Sequence, residues 1–252
     1  MISGRYKIGS TYISRTNPED ARSRIEKAAK EGKGGYICVS DMRMVRYAGS
    51  HKDYRKLMEG SLMNLPDGTP VSWIGRLSGC REVACTTGPG LFASMMGSAD
   101  PDLRHYLLGD TRDVLDAIVE RSAREGGAQI VGTDALPFTT VDKFDYQGIA
   151  RGIKESGANI VWTAMRAPKQ DEFNARICPL LEGVVCIGVG RAFRLYSGDI
   201  RQAPAWARKL GIGGLFIRRK SLGVMILWYI ETAFVLFAYA CRALWNRLFK
   251  NK

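Results

Sequence analysis

VVCIGVGRAFRLYSGDIRQAPAW, residues 184–206, sets a strand, a tight loop and a helix start in close succession. Four apolar residues, Val184 to Ile187, run directly into Gly188-Val189-Gly190. That is how a strand buried on both faces of a parallel sheet gives way to a loop that a phosphate can approach closely. Pro204 suits the first turn of a further helix. Arg191, Arg194 and Arg201 place three cations within eleven residues. Taken alone, Gly-x-Gly after an apolar run describes a strand-to-helix turn without a ligand equally well.

Working outward, the same alternation recurs along the chain. Asn17-Pro18-Glu19-Asp20 combines an N-cap, a proline at the first helical position and two acids, predicting a helix to about Lys30. Gly35 to Ser40 reads as a buried strand ending at Asp41, and 61–65 as a weaker strand leading into Pro66-Asp67-Gly68-Thr69-Pro70. Strand 105–108 ends in Gly109-Asp110, a helix follows to Arg124, strand 129–131 ends in Gly132, and a helix over 146–154 precedes strand 159–163. Strands and helices alternating at this spacing predict right-handed crossovers. The fold class is therefore α/β, a Rossmann-like, mostly parallel sheet with helices on both faces. In such sheets ligands gather at the carboxyl ends of the strands, where Asp41 and Asp67 stand. Asp-Gly is also a common turn dipeptide, so Asp67 by itself fits a structural reading as well as a chemical one.

Four short stretches then coincide: APKQDEF (167–173), IGVGRAF (187–193), YSG (196–198) and QAPAW (202–206). Together they resemble the WecG/TagA/CpsF family of bacterial glycosyltransferases, which extend lipid-linked precursors of teichoic acid, enterobacterial common antigen and capsular or exopolysaccharide. Asp67-Gly68 with Pro70 and Trp73, and Gly88-Pro89, extend the resemblance over most of the chain. It implies a UDP-sugar donor, a polyprenyl-diphosphate-linked acceptor, inversion at the anomeric carbon and no required metal. It further implies Asp67 as the catalytic base, and the strand-end positions make Asp41, Gly109, Gly132, Arg166, Gln170, Gly188, Gly190 and Arg194 the expected surroundings of the donor. The chain departs from the family pattern where Asp41 replaces an Asn, Cys85 an Arg, Arg166 a Gly, Arg194 an acid, and Gly213-Gly214 a Glu-Trp. Added arginines near a sugar site suit an acidic sugar such as a uronic acid.

Charge separates the chain into a body, 1–200, and a basic, hydrophobic appendage, 201–252. The net charge is +12, and from Arg201 onward ten basic residues against Glu231 alone account for +9 of it. The segment between Lys220 and Arg242 is almost wholly apolar, which suits an anionic membrane surface and not nucleic acid. Arg201, Arg218 and Arg219 are the expected contacts to acceptor and membrane. Ser221 to Cys241 is long enough for a span, but Glu231 at its midpoint and basic flanks at both ends favour a helix lying in the interface plane. The amino terminus has no apolar leader, and six cysteines show no CxxC spacing. These features place the protein at the cytoplasmic face of the inner membrane.

His51 and His105 each stand alone, no HExxH, Walker or GxSxG pattern occurs, and no DxD pair stands on a strand end to hold a metal for a sugar nucleotide. Competing readings are a non-catalytic partner that binds the lipid-linked sugar or another transferase, and a Rossmann oxidoreductase, for which GxGxxG and its ribose-binding acid are missing. The sequence leaves a homo-oligomer open.

Overall fold

A computed structural model describes residues 4–201, 204, 230 and 232–241. Six strands form one sheet in which every pairing is parallel: β3 (Gly35–Ser40), β4 (Met63–Pro66), β5 (Arg104–Gly109), β6 (Gln129–Asp134), β7 (Ile160–Ala164) and β8 (Val185–Gly188). Their order across the sheet is β4-β3-β8-β7-β5-β6. This is the Rossmann-like α/β architecture expected from the alternation.

The central strands bury both faces, as helices on either side of a parallel sheet require. Alternate residues point opposite ways. Leu107, Ile160, Trp162, Val185 and Ile187 join one core. It is covered by α1 (Pro18–Lys30), α5 (Gly88–Met96), α6 (Arg112–Arg124) and α9 (Ala192–Ser197). Tyr106, Leu108, Val161 and Cys186 join a second core under α7 (Tyr146–Glu155) and α8 (Lys169–Ile177). The N-cap read at Asn17 is made, its side chain accepting from the Asp20 N–H at 2.9 Å. Trp162 is fully buried, meets Phe92 edge-on at 5.1 Å and donates its indole N–H to His105 Nδ1 at 2.9 Å. Burial lowers His105 to about 4, so it is a neutral core residue and not a site base.

A third core lies outside the sheet edge. Strands β1 (Arg5–Ile8) and β2 (Thr11–Ser14) form an antiparallel hairpin packed with α2 (Met42–Ser50), α3 (Lys52–Gly60) and α4 (Thr69–Leu77). Residues 232–241 are helical and close over it, with Val235, Leu236 and Tyr239 packed inward. Tyr239 Oη accepts the Gly9 N–H at 2.9 Å. Ile230, Phe234 and Phe237, spaced to share one helical face, are 61%, 74% and 68% exposed, an unusual display of apolar surface. Among the described residues, no helix is long and apolar enough to cross a membrane. Arg218, Arg219, residues 221–229 and Glu231 lie outside the described residues.

Candidate active site

The carboxyl edge of the sheet gathers most of the residues singled out in the sequence. Asp67 follows β4 directly. Pro66 pairs with Ser40 of β3, and the Asp67 N–H donates to the Ser40 carbonyl at 3.1 Å, so Asp41 and Asp67 leave neighbouring strand ends side by side. Gly68, at φ 85°, turns the chain into α4 in a conformation that glycine adopts without strain. Asp67 keeps some contact with solvent yet is enclosed by protein atoms, as at the bottom of a recess. Burial first, and then the charge of Asp41, push its carboxyl up to about 7. Arg43, Arg191 and the Gly68 N–H pull the other way. Desolvation outweighs these three.

Asp41 is fully engaged. Its Oδ1 accepts from the Arg43 and Met44 N–H groups at 2.9 and 3.1 Å, capping α2, and its Oδ2 meets the Arg43 guanidinium at 2.6 Å. The residue acts on the site through its charge.

Gln170 and the glycine loop come together as expected. A Cβ on Gly188 would lie 2.8 Å from Gln170 Nε2, and one on Gly190 3.5 Å from Oε1. Gln170 is 4% exposed, and its Oε1 has no partner among the described residues. A buried amide oxygen left open is costly unless something donates to it, and this one sits beside the loop. Gly88, opening α5, packs so tightly on the loop that a Cβ would be 3.2 Å from the Val189 carbonyl. Replacing Gly188 with Ala should accordingly displace Gln170 and raise the donor Kd roughly 10-fold or more, with the thermal midpoint little changed because one flexible side chain absorbs the methyl. Calorimetric titration checks this, and an unaltered donor Kd would separate Gln170 from the site.

Other candidates take positions with a packing explanation. Gly109, at φ 99°, lies against the Ala164 backbone, and a Cβ on Gly132 would sit 2.3 Å from the Tyr106 ring at a register shift between β5 and β6. Arg194 is held by Asp110, Nε reaching both carboxylate oxygens at 3.1 Å and an ion pair closing at 2.8 Å, and by Asp199 at 3.1 Å. Arg166 and Arg201 are exposed, and Arg191 is half-buried. Sequence reasoning counted Arg191 without placing it, and passed over Arg43. Their signal was position alone, each lying just beyond a strand end. An open recess of about 560 Å³ lies at the opposite edge of the sheet among Lys30, Asp102, Arg104 and Glu182, away from these groups.

A catalytic-range carboxyl, an open amide and a tight glycine loop at one sheet edge suit group transfer from a phosphorylated donor. The sequence profile of the WecG/TagA/CpsF glycosyl transferase family matches residues 6–247. The chain belongs to this family. It is therefore a glycosyltransferase. Two N-acetylglucosaminyldiphosphoundecaprenol N-acetyl-β-D-mannosaminyltransferases are similar to it. The one from Bacillus subtilis (strain 168) is 26% identical over 181 residues, 71% of this chain and 69% of the relative. The one from Bacillus spizizenii is 25% identical over 178 residues, 70% of this chain and 67% of the relative. The family match extends beyond Arg201, to residue 247.

Proposed function

We propose that this glycosyltransferase moves a sugar from a UDP-sugar to a saccharide carried on polyprenyl diphosphate, with inversion and with Asp67 as base. The observation that carries the reading is the Asp67 carboxyl, raised to about 7 in a recess bordered by the neighbouring strand ends. A general base works best when its pKa lies near the working pH. The similar Bacillus enzymes, whose names state a diphosphoundecaprenol-linked acceptor, support the choice of acceptor.

In the proposed step, ionised Asp67 takes the proton of the acceptor hydroxyl as its oxygen attacks the anomeric carbon. The bond from that carbon to the diphosphate oxygen breaks, and UDP departs with the electron pair. Attack from the face opposite the leaving group inverts the centre. The open Gln170 amide and the N–H groups of the Gly188–Gly190 loop are suited to hold donor and leaving group, since fixed dipoles aimed at developing charge contribute most where water is excluded.

The basic appendage and the exposed Ile230, Phe234 and Phe237 support an in-plane placement at the cytoplasmic face of the inner membrane, within reach of a lipid-linked acceptor. Incubating the purified chain with a panel of UDP-sugars and lipid-linked saccharides, and following UDP release, tests the reading. Absence of release with every pair would overturn it. Arg43, Arg166 and Arg191 supply positive charge around the site, so turnover should persist undiminished in EDTA. Loss of turnover on chelation, restored by magnesium or manganese, would assign charge neutralisation to a metal.

A further inference from the structure

Arg191 and Arg166 reach the site from adjacent strands. Thr163 of β7 pairs with Gly188 of β8, and each arginine lies three residues beyond its member of that pair. On the other side, Ile37 of β3 pairs with Ile187, and Asp41 and Arg191 each lie four residues further on. Arg191 is thus flanked by Arg166 on one side and by the Asp41–Asp67 strand ends on the other.

Its bonding is unlike that of the neighbouring arginines. Arg43 is tied to Asp41, and Arg194 to Asp110 and Asp199. Further away, Arg15 is tied to Glu82 and Arg176 to Asp142. Among the described residues, neither Arg191 nor Arg166 makes a hydrogen bond or ion pair through its guanidinium. Arg191 is half-buried, so its charge has lost part of its hydration without gaining a partner. Burial, Arg166 and Arg43 all disfavour its charged form, and Asp67 and Asp41 only partly offset them. A partly dehydrated guanidinium with an exposed second one near it, and no counter-ion on either, is an anion site in waiting, because an Arg fork matches carboxylate and phosphate oxygens in pairs.

We propose that Arg191, with Arg166 beside it, seats an anionic group of the substrate next to Asp67: either a carboxylate on the transferred sugar or the donor diphosphate. The inference rests on the glycosyl-transfer reading for its location but not for its test, since a seat for anions binds them whether or not transfer occurs. It also gives Arg191 a second effect. Removing its charge takes away one of the groups that hold the Asp67 carboxyl down, so the acid limb of activity, which Asp67 ionisation sets, should move to higher pH.

The experiment is calorimetric titration of the full chain with pyrophosphate, UDP, UDP-glucose and UDP-glucuronate, repeated on Arg191→Gln, Arg191→Lys and, as a distant control, Arg124→Gln. We expect Arg191→Gln to weaken binding roughly 10- to 100-fold, as loss of a charge-assisted hydrogen bond does, with Arg191→Lys intermediate and Arg124→Gln unchanged. Equal weakening of pyrophosphate, UDP and both UDP-sugars assigns the seat to the diphosphate. Weakening confined to UDP-glucuronate assigns it to a sugar carboxylate. Pyrophosphate binding that depends on Arg191, with no binding of any uridine compound, keeps the seat while removing the UDP-sugar reading. Unchanged affinities in a variant with the wild-type thermal midpoint, or no binding of any of the four compounds to the wild type, would overturn the proposal.

Discussion

Asp67→Asn is expected to lower kcat by roughly 100- to 10,000-fold, the usual contribution of a general base, while donor affinity is not weakened more than about twofold, because the amide is isosteric and the carboxylate it replaces offers an anionic diphosphate no attraction. The same residue sets the pH profile. Its carboxyl is raised to about 7, and only the ionised form accepts a proton, so wild-type activity should rise with pH up to about 7 and level off above it. Stability should move the opposite way. An acid whose folded pKa exceeds its unfolded value of 3.8 binds more protons folded than unfolded between the two values, so folding weakens as pH climbs from 3.8 to about 7. Asn escapes that loss, so the variant should be less active and, above pH 7, more thermostable. Near-wild-type turnover would remove Asp67 from the chemistry. A variant both inactive and destabilised would make it a structural turn residue.

Asp171→Asn should have the largest effect on stability. Asp171 lies on the inner face of α8, next in sequence to Gln170, and is 1% exposed. Tyr54 Oη donates to its Oδ2 at 2.5 Å, while Oδ1 has no partner among the described residues. Burial raises the carboxyl to about 7, and the Tyr54 hydrogen bond only partly opposes it. By the same linkage, the wild type loses stability between pH 3.8 and about 7, and at pH 8 the displacement sets a ceiling of about 4 kcal/mol. Asn can still accept from Tyr54, but its amide nitrogen lacks a partner, so the gain will fall below that ceiling. Urea unfolding of both proteins from pH 4 to 8 measures the difference. Parallel stability curves across that range would show that Asp171 is ionised in the folded protein at low pH and is not desolvated as described.

The sheet was legible because its strands are short apolar runs closed by glycine or aspartate, as in VVCIG and YICVSD, and helices with caps separate them. The hairpin at Arg5–Ser14 was missed although Gly9-Ser10 is a two-residue hairpin signal, because RYKI and TYIS are half polar and too short to stand out. Helix α2 went unread because MRMVRYAGS interleaves arginines with a buried stripe at Met42, Met44, Val45 and Ala48. In the site, Asp67 and the Gly188–Gly190 loop could be placed because turn chemistry is local. The engagement of Arg194 depends on Asp110, 84 residues earlier, and the tight fit at Gly132 on the ring of Tyr106 in the next strand. Contacts of that kind leave no periodicity. Gln170 could be placed beside the loop only through the motif that contains it, and its unpartnered oxygen could not be read at all.

The bond between Tyr239 and Gly9 joins residues 230 positions apart. On a ribosome adding roughly 5 to 20 residues per second, the hairpin would wait about 10 to 50 s for the helix that covers it. During that interval Tyr6, Ile8 and Ile13, and with them the inner faces of α2 and α4, lack part of their cover. Both helices start at the residues that frame Asp67, so the neighbourhood of the base is completed late in synthesis. A nascent chain would thus acquire its sheet well before its active site, and transfer would begin only after the segment that follows Arg201 has been made.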